Sequence, residues 1–558
     1  MLAYAALAIA CTLPTWHDPV HNFVGSADAQ QKMWFLNWTP FAITHGHNPF
    51  VTTYLNQPAG VNLLWNTSVP GPAVLLAPVT SVWGAVATYN VLTTGALALS
   101  AFFAFIAVRR YVHNTAAAAS GGLLYGFSPA MMAQEHGHAT PVISAVMIPI
   151  ALLLFDEVFI RQRLHVWVLG CLVALYATFQ YFTSPEFLAT SVVSGLVLAV
   201  VLAAVHRDRV RTAFPYAARA LGLGAVVAAG ALAYPLVRVQ LGGPDRVHGV
   251  IHSADIFSTT PLNFFIPEGN EWLSPSWLSP INSRFSGNAS EANAYIGIPL
   301  LIAVAVLLRR SWNQTLVRTA AITGIVIAVF SLGPHFTPLR KSFFPLPWHP
   351  FSRLPLLSDV QPSRMMFFVF LALAVLFAYM MDGVWRRERR VWVTAGLAVV
   401  TLLPLFPKVP LPSQTLLPAP YFSTTAVTEI PAGAVAYTMP FPSQAAVEPM
   451  NWQRDSGMRF QLIGGYFVGP PSPGQSTLMH VAETFSSAGR TSPISNAERR
   501  RFYGELRANG IRVLIVAPIP HQADAVAFCT TLLGRPPIVR DGFRIWIGVS
   551  SPNPPQPA

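Results

Sequence analysis

Charged residues are scarce in this sequence. Asp, Glu, Lys and Arg together make up only 10% of its 558 residues, while 53% are hydrophobic and the mean hydropathy is +0.46. Soluble domains carry about 25% charged residues. A chain with so little charge cannot cover its surface with polar groups. This excludes a soluble globular protein and indicates an integral membrane protein.

Cysteine is scarcer still, with three residues, Cys11, Cys171 and Cys529, far apart in the chain. That spacing predicts neither a disulfide framework nor a zinc site. The sequence also lacks a Gly-rich nucleotide-binding motif, which argues against a cytoplasmic ATP-hydrolysing domain. The formal net charge of +12 does not indicate nucleic-acid binding, because most Arg residues lie in short runs between apolar segments.

Long apolar segments fill much of the chain. Several approach the ~20 residues that a helix needs to cross the hydrocarbon core. We predict about eleven transmembrane helices, near residues 1–14, 88–108, 115–133, 141–159, 166–183, 187–205, 217–237, 294–308, 319–334, 364–381 and 391–407. The first 13 residues lack the basic start and cleavage site of a signal peptide. We interpret them as a short first membrane helix, with an incomplete amino terminus as one reading.

The basic residues predict the orientation of these helices. Arginines fall in alternate loops, which are therefore cytoplasmic. They are Arg109, Arg110, Arg161, Arg163, Arg207, Arg209, Arg211, Arg309, Arg310, Arg386, Arg387, Arg389 and Arg390. The extracytoplasmic face then holds the loops 15–87, 238–293 and 335–363 together with residues 408–558. Nearly all the long polar segments of the chain lie on that face.

The composition changes after residue 407. We predict a mainly α membrane domain at 1–407 and a small extracytoplasmic α/β domain at 408–558. AVAYTMPF, RFQLIGGYF and IRVLIVAP are typical of strands, and HQADAVAFCTTLLG of a helix. Another helix begins with Asn496 as its cap and ends at Gly510. Asp541-Gly542 predicts a hairpin turn, and SSPNPPQPA predicts a disordered tail.

Asp28 stands in the first extracytoplasmic loop, before an amphipathic run that we expect to form a helix in the membrane interface. The apolar residues of that run are Met33, Trp34, Leu36, Trp38 and Phe41. A carboxylate at that depth is partly desolvated, which raises its pKa and favours a role as proton acceptor. The alternative is that Asp28 caps the helix.

A second polar cluster, QEHGH at 134–138, lies on the same predicted face. Glu135, His136 and His138 are residue types that bind divalent metals. Their spacing does not match a helical pair of ligands. The alternative is that His138 binds a phosphate or a sugar hydroxyl.

Acidic residues mark other ends of predicted spans. Glu186 follows Pro185 in QYFTSPE. It either favours the start of its helix or points into the same extracytoplasmic pocket as Asp28. Glu291, just before the eighth span, and Tyr295 are further candidates. The acids expected to be solvated in the long loop are Asp255, Glu268 and Glu271.

Four basic residues contradict the charge rule, because they lie on the face that should be poor in positive charge. They are Arg340, Lys341, Arg353 and Arg364. An anionic lipid phosphate at the outer interface would explain them. Snorkelling of the side chains to bulk water is the alternative.

One run of motifs resembles a known family. The pattern D-x5-W-x-L-x-W, then HGHNPF and QPAGVNLLWNTS, is similar to an uncharacterised, actinobacterial-type group of the glycosyltransferase C (GT-C) superfamily. The residues of the pattern are Asp28, Trp34, Leu36, Trp38, Asn48, Pro49, Phe50, Pro58, Gly60, Asn62, Asn66 and Thr67. The resemblance continues through YNVL at 89–92, YGFSPAMMAQEHGH at 125–138 and QYFTSPE at 180–186.

The resemblance implies an enzyme of the bacterial plasma membrane. Such proteins transfer a sugar, with inversion, from a polyprenyl-phosphate donor to a glycan, lipid or protein acceptor at the outer face. Their base is an acid in the first loop, and Asp28 matches it. Many pair that acid with a second one and a divalent metal such as Mg²⁺ or Mn²⁺.

Here Ala29 follows Asp28, so the adjacent second acid is absent. Glu186 from another loop is the candidate partner, and Asp28, His138 and Glu186 are the candidate metal ligands. Donor-phosphate or substrate contacts are expected from His138, Arg353, Arg364, Glu186, Glu291 and Asn62.

Two other classes of function stay open. One is a transporter or flippase of lipid-linked sugars, although the sequence shows none of the internal repeats that are common in transporters. The other is a non-catalytic envelope scaffold with the same fold, which the unpaired Asp28 suggests.

Overall fold

The computed structural model is mostly helical and describes residues 1–243, 247, 249–288, 290–291, 294–338, 341–355, 357–388, 391–487 and 494–550. Arg340, Arg389, Arg390 and residues 551–558 of the predicted tail lie outside the described residues. The described chain divides into two compact units. The first comprises Met1–Ser26, Val86–Ala233 and Gly249–Thr415, and the second Ala27–Ala85, Tyr234–His248 and Leu416–Ala558.

Apolar helices make up most of the first unit. In the described part of the chain, five helices are long and apolar enough to cross a membrane: Ala77–Arg109, Ala139–Arg161, Pro185–Val205, Arg207–Gln240 and Pro362–Arg387. Shorter apolar helices are Leu2–Cys11, Val166–Tyr181, Thr315–Ser331 and Trp392–Leu405. Further helices are Thr115–Gly126, Pro129–Glu135, Ser279–Asn282 and Ile298–Ser311. The total of eleven spans remains a prediction.

Two predicted spans have different boundaries in the structure. The segment 115–133 is broken, because one helix ends at Gly126 and the next begins at Pro129, with the Ser128 side chain accepting from the Met131 amide. The seventh predicted span begins ten residues early, at Arg207. Arg is a good helix former, and Asp208 in the first turn favours the positive end of the helix dipole. A basic run can therefore mark a loop in sequence and still be helical.

Small residues let the helices of the first unit approach closely. A Cβ added to Gly122 would come within 2.6 Å of the Ala101 carbonyl oxygen, and one on Gly121 within 2.9 Å of the Ala374 carbonyl oxygen. Such contacts are typical of membrane helices, whose association depends on van der Waals packing more than on the hydrophobic effect. A short antiparallel pair, Asn22–Val24 with Ser413–Thr415, also belongs to this unit.

A mixed sheet forms the centre of the second unit. In the described residues it has five strands, in the order Phe460–Leu462, Ala434–Met439, Ile511–Val516, Phe543–Ile547 and Ile538–Arg540. The first three strands run parallel and the last two pair antiparallel. The helices of the unit are Ala27–Thr44, Pro70–Leu75, Pro420–Ser423, Glu448–Asp455, Gln475–Ser486, Asn496–Ala508 and Gln522–Leu533. A two-stranded pair joins Val51–Thr52 to Val61–Asn62.

Both faces of the central strand are buried, which explains its continuous apolar sequence. Val513 and Ile515 pack into one hydrophobic core, and Leu514 and Val516 into another. The hairpin turn at Asp541-Gly542 is as predicted, with φ of 44° and 85° at the two residues. The predicted cap moves by one residue. Ser495, not Asn496, caps the helix through a capping box with Glu498.

The helix Ala27–Thr44 does not have the predicted surroundings. Its aromatic residues were expected to face lipid, but Trp34 and Trp38 are 0% and 1% exposed in the protein core of the second unit. Their rings stack with centroids 5.5 Å apart, and Trp34 Nε1 donates to Gln453 Oε1 at 2.7 Å. The expectation that these tryptophans face lipid was therefore wrong, because they pack against the protein itself.

Candidate functional site

Arg364 is the centre of a buried charged cluster in the first unit. Pro362 starts the helical turn that carries it, at the beginning of the long helix Met366–Glu388. Arg364 Nη1 donates to Glu186 Oε2 at 2.6 Å, and Nη2 donates to Glu291 Oε1 at 2.8 Å. Nε also donates to Glu291 Oε1, at 3.1 Å. Within the described residues, these bonds use three of the five guanidinium N–H donors.

Glu186 reaches this cluster from the start of the helix Pro185–Val205. Ser184 caps that helix, which fixes the first turn and the direction of the Glu186 side chain. Its second oxygen, Oε1, accepts from the backbone amide of Gln361 at 2.9 Å. Glu186 thus lies in the first turn of its helix, as one alternative predicted. A pocket shared with Asp28, the other alternative, stays a prediction.

Glu291 is the most enclosed of the three charged residues Arg364, Glu186 and Glu291, at 1% exposure. Its Oε2 accepts from Ser363 Oγ and from Gln134 Nε2, each at 2.9 Å. Burial alone would raise the pKa of this carboxyl. Arg364, His138 and the Ser363 hydroxyl outweigh burial and hold the pKa below its ordinary value. Glu291 is thus a fixed negative charge at neutral pH.

His138 lies at the edge of the cluster, with Nδ1 3.5 Å from Glu291 Oε1. It precedes the helix Ala139–Ala145. One guanidinium thus faces two carboxylates, with the His138 imidazole beside one of them. The further N–H donors of Arg364 can donate to an anion such as a phosphate oxygen.

Arg353 lies elsewhere in the first unit. It is exposed in the short helix Phe351–Arg353. Partial burial and the charge of Arg353 lower the pKa of His349. Of the predicted phosphate-binding residues, the structure thus brings together Glu186, Glu291, Arg364 and His138, and it places Arg353 beside His349.

Asp28 belongs to the second unit. The helix begins at Ala27, so Asp28 lies in its first turn and the capping alternative is wrong by position. The positive end of the helix dipole favours its carboxylate there. Tyr466 Oη donates to Asp28 Oδ1. Burial and the neighbouring Asp28 charge raise the pKa of the Tyr466 hydroxyl, so the tyrosine is a proton donor in this pair at neutral pH.

Lys32 is one turn further along the same helix and is buried, although its sequence gave no such indication. Its Nζ donates to the carbonyl oxygens of Asn66 and Thr67 at 3.1 and 2.9 Å. The ammonium also lies 5.1 Å from the centre of the Phe35 ring. This buried cation ties the helix of Asp28 to the loop that follows it.

Asn62, a predicted substrate contact, has structural partners. Its Oδ1 accepts from the Leu64 amide at 3.2 Å, and its Nδ2 donates to the Val239 carbonyl at 2.6 Å. At 3% exposure it caps a short turn of the loop.

The acids of the long loop are not all solvated as expected. Glu268 and Glu271 are 6% and 2% exposed. Burial raises the pKa of each to about 8, and Glu271 adds to the effect on Glu268. Asp255 pairs with His335 Nδ1 at 3.0 Å. A polar loop sequence gave no sign that its carboxyl groups fold inward.

The candidate metal ligands belong to different units, Asp28 to the second and His138 and Glu186 to the first. Both oxygens of Glu186 accept protein hydrogen bonds. Among the residues that the structure describes, no group of three or more His, Cys, Asp or Glu side chains has a metal-binding arrangement. Metal binding by Asp28, His138 and Glu186 stays a prediction.

The cluster includes partners that the sequence did not single out. Ser363 was not named, and Gln134 appeared only as part of a metal-type motif. Tyr466 is 438 residues from Asp28, a separation at which a single sequence carries no pairing signal. For Ser363, the only indication in the sequence was its position next to Arg364.

A family model described as a domain of unknown function, DUF6311, matches residues 1–406. No curated protein matches the chain. Among solved structures, the arabinofuranosyltransferase AftD from Mycobacteria is similar over 99% of this chain, with 12% identity and a TM-score of 0.55. This chain spans 40% of the length of AftD.

The archaeal oligosaccharyltransferase AglB from Archaeoglobus fulgidus, solved with an inhibitory peptide and a dolichol-phosphate, is also similar. The match covers 92% of this chain and 68% of AglB, with 9% identity and a TM-score of 0.50. At these identities the likenesses show that the chain shares the fold of these two proteins.

Proposed function

The chain belongs to the DUF6311 family and has a GT-C fold, and we propose that it is a membrane glycosyltransferase. The donor is a polyprenyl-phosphate sugar, and the acceptor is a glycan, lipid or protein of the bacterial envelope. Transfer takes place at the extracytoplasmic face with inversion. The observation that carries the proposal is Asp28, a half-buried carboxylate in the first turn of the helix Ala27–Thr44 that accepts a hydrogen bond from Tyr466.

Asp28 accepts the proton of the acceptor hydroxyl as that oxygen attacks the anomeric carbon. The bond from this carbon to the phosphate oxygen breaks, and the lipid phosphate leaves with the electron pair. The Tyr466 hydrogen bond holds Asp28 Oδ1, which leaves the orientation of the carboxylate fixed. A phosphate leaving group does not need a strong general acid.

Arg364 is the residue that we propose to bind a lipid phosphate. Its charge and its further N–H donors suit a phosphate oxygen, and Glu186 and Glu291 fix the plane of the guanidinium. The step is written here without a metal. Metal dependence stays a prediction, to be measured with a chelator in the same assay.

The test is transfer from a panel of radiolabelled polyprenyl-phosphate sugars to envelope acceptors, with purified protein in membranes. We expect Asp28→Asn to reduce transfer by about 10²–10⁴-fold, the usual contribution of a general base. Asp18→Asn is the matched control, because Asp18 is an exposed acid that pairs with His21. Full transfer by the Asp28 variant would contradict the proposal.

In the alternative of a non-catalytic scaffold, the hydrogen bond between Tyr466 and Asp28 has a structural role only. If Asp28 serves only to hold Tyr466, its replacement lowers stability, and no donor in the panel is turned over by the wild-type chain. Binding of polyprenyl phosphate by a chain without transfer would instead favour the transporter or flippase.

A further inference from the structure

An apolar cavity of about 510 Å³ lies between helices of the first unit. Its volume is that of a typical small-molecule pocket. Protein interiors are close-packed, so open space of this size points to an occupant. Most of its wall belongs to five helices, which are Ala139–Arg161, Val166–Tyr181, Pro185–Val205, Thr315–Ser331 and Pro362–Arg387.

Small residues create this space. Each of the five helices contributes an alanine or a glycine to the wall: Ala151, Ala177, Gly195, Ala320 and Ala372. A Cβ added to Gly121, which packs against a neighbouring helix, would come within 2.9 Å of the Ala374 carbonyl oxygen. At Gly195 an added Cβ would meet no heavy atom within 4 Å. The space beside Gly195 is therefore open to a ligand.

The wall offers apolar surface that a ligand can contact. Leu188, Leu198 and Leu316 line the cavity and are only partly buried. Covering such surface is favourable by about 25 cal/mol per Å². The Tyr176 hydroxyl, a polar group of the wall, already donates to Ser191 Oγ at 2.9 Å. The lining thus favours a hydrocarbon chain over a polar ligand.

The length of the cavity suits a lipid chain. On the helix Thr315–Ser331 the lining residues extend from Thr315 to Ile327, which is about 18 Å at 1.5 Å per residue. On Pro185–Val205 they extend from Leu188 to Leu202, which is about 21 Å. One leaflet supplies half of the ~30 Å hydrocarbon core of a bilayer, so a single acyl chain fits along the cavity.

Arg209 gives the cavity a cationic end. Among the described residues that line it, Arg209 is the only one with a charged side chain. This side chain is exposed and makes no hydrogen bond or ion pair with another described residue. Arg207 and Arg211 flank it at the start of the same helix, against one acid, Asp208. An anionic group would complement this excess of positive charge.

Further arginines of the loops predicted to be cytoplasmic add to this charge. Tyr111, which lines the cavity, donates its hydroxyl to Asp156 Oδ1 at 3.3 Å. Arg110 Nη1 and Arg161 Nε each donate to Asp156 Oδ2 at 2.7 Å. Two guanidinium groups therefore face one carboxylate, and the positive charge near the cavity is only partly neutralised.

From these observations we propose that the cavity binds an acyl chain of an anionic phospholipid from the cytoplasmic leaflet, with the lipid phosphate at Arg209. The chain covers the apolar walls, and the phosphate oxygens accept hydrogen bonds from the guanidinium. The proposal concerns lipid binding and does not rest on glycosyl transfer, so it holds or fails independently of the proposed function.

Native mass spectrometry of the full chain, purified in detergent, tests the proposal. Phosphatidylglycerol and phosphatidylcholine with identical acyl chains are titrated, and the dissociation constant of the first bound lipid is measured for each. We expect phosphatidylglycerol to bind about fivefold more tightly, the effect of one basic residue on an anionic lipid. Arg209→Gln should remove this preference. Arg211→Gln should keep it, because Arg211 is exposed on the same helix but does not line the cavity.

A second variant fills the cavity. Gly195→Phe should weaken the binding of both lipids by about tenfold or more, because its ring occupies the space of the chain. Gly222→Phe is the matched control, since an added Cβ at Gly222 also meets no heavy atom within 4 Å but Gly222 does not line the cavity. Arg209→Gln changes an exposed side chain, so it tests the proposal even where Gly195→Phe does not fold.

Three results would overturn the proposal. The first is equal affinity of the wild-type chain for the two lipids, or an unchanged preference in Arg209→Gln. The second is phosphatidylglycerol binding to Gly195→Phe that is as tight as to Gly222→Phe. The third is displacement of phosphatidylglycerol by a polyprenyl phosphate whose own affinity Arg209→Gln leaves unchanged, which would assign the cavity to a polyprenyl chain.

Discussion

Arg364 shows how much one buried charge depends on its partners. Taking a guanidinium and two carboxylates out of water is costly, and only their mutual contacts offset that cost. Each oxygen of Glu186 and Glu291 receives at least one donor. Such a network adds little net stability compared with an apolar replacement, but it fixes one arrangement of the three loops that supply it.

Arg364→Gln should destabilise the protein by about 3–5 kcal/mol, because it leaves Glu186 and Glu291 buried without a cation. Thermal unfolding in detergent measures the change. Arg353→Gln is the control, since Arg353 is exposed and a surface change of this kind stays within about 0.5 kcal/mol. Equal stability of the two variants would contradict the buried network.

Glu268 and Glu271 should give the protein a measurable dependence on pH. Their pKa is about 8 in the folded protein, against an ordinary 4.5. Between these values the unfolded chain has lost the protons that the folded chain keeps. The free energy of unfolding should therefore fall as pH rises from 4.5 to 8 and level off above.

Melting temperatures across this pH range check the prediction. Glu268→Gln should flatten the decline in part, and the double change with Glu271→Gln should flatten it further. Glu291 does not interfere, because its lowered pKa places its own effect below 4.5. A double variant with the full wild-type slope would show that the two carboxyl groups are not the cause.

Sequence patterns predicted those helices, strands and turns that depend on interactions within a few residues. The strand Ile511–Val516, the turn at Asp541-Gly542 and the helix from Asn496 follow from apolar runs, glycine and capping residues within a few positions. The surroundings of the helix Ala27–Thr44 did not follow. An aromatic face looks the same in sequence whether lipid or protein covers it, and the partner Gln453 is 419 residues away.

Trp34→Ala should cost about 3–5 kcal/mol, because it removes a large side chain from a packed core. Trp34→Phe should cost less, chiefly the hydrogen bond to Gln453. Thermal unfolding of the full chain provides the measurement. Trp83→Ala is the comparison, since Trp83 is 61% exposed. A neutral Trp34→Ala would support the interfacial helix after all.

Some properties of the whole molecule could be predicted from its sequence, and others could not. Scarce charge and alternating arginine loops predicted a membrane protein, and the motifs of the first 190 residues pointed to the GT-C fold. The buried cluster was only partly predictable. Glu186, Glu291 and Arg364 stood out as charges at helix ends, whereas their mutual pairing needs a three-dimensional arrangement that a single sequence does not contain.

The proposed orientation can be tested with single cysteines in a chain whose three native cysteines are replaced by serine. A membrane-impermeant maleimide applied to intact cells should label Ser276→Cys and Ser423→Cys, because both are exposed and on the proposed outer face. Arg163→Cys, exposed in a proposed cytoplasmic loop, should react only after the cells are opened. Labelling of all three in intact cells would contradict this topology.

The second unit is assembled from stretches far apart in the chain, and this has a consequence for biosynthesis. Trp34 leaves the ribosome long before Gln453, its hydrogen-bond partner 419 residues later. At translation rates of ~5–20 residues per second, this interval lasts about 20–80 seconds. During that time the stacked tryptophans lack their final core, which is complete only after the last quarter of the chain has been made.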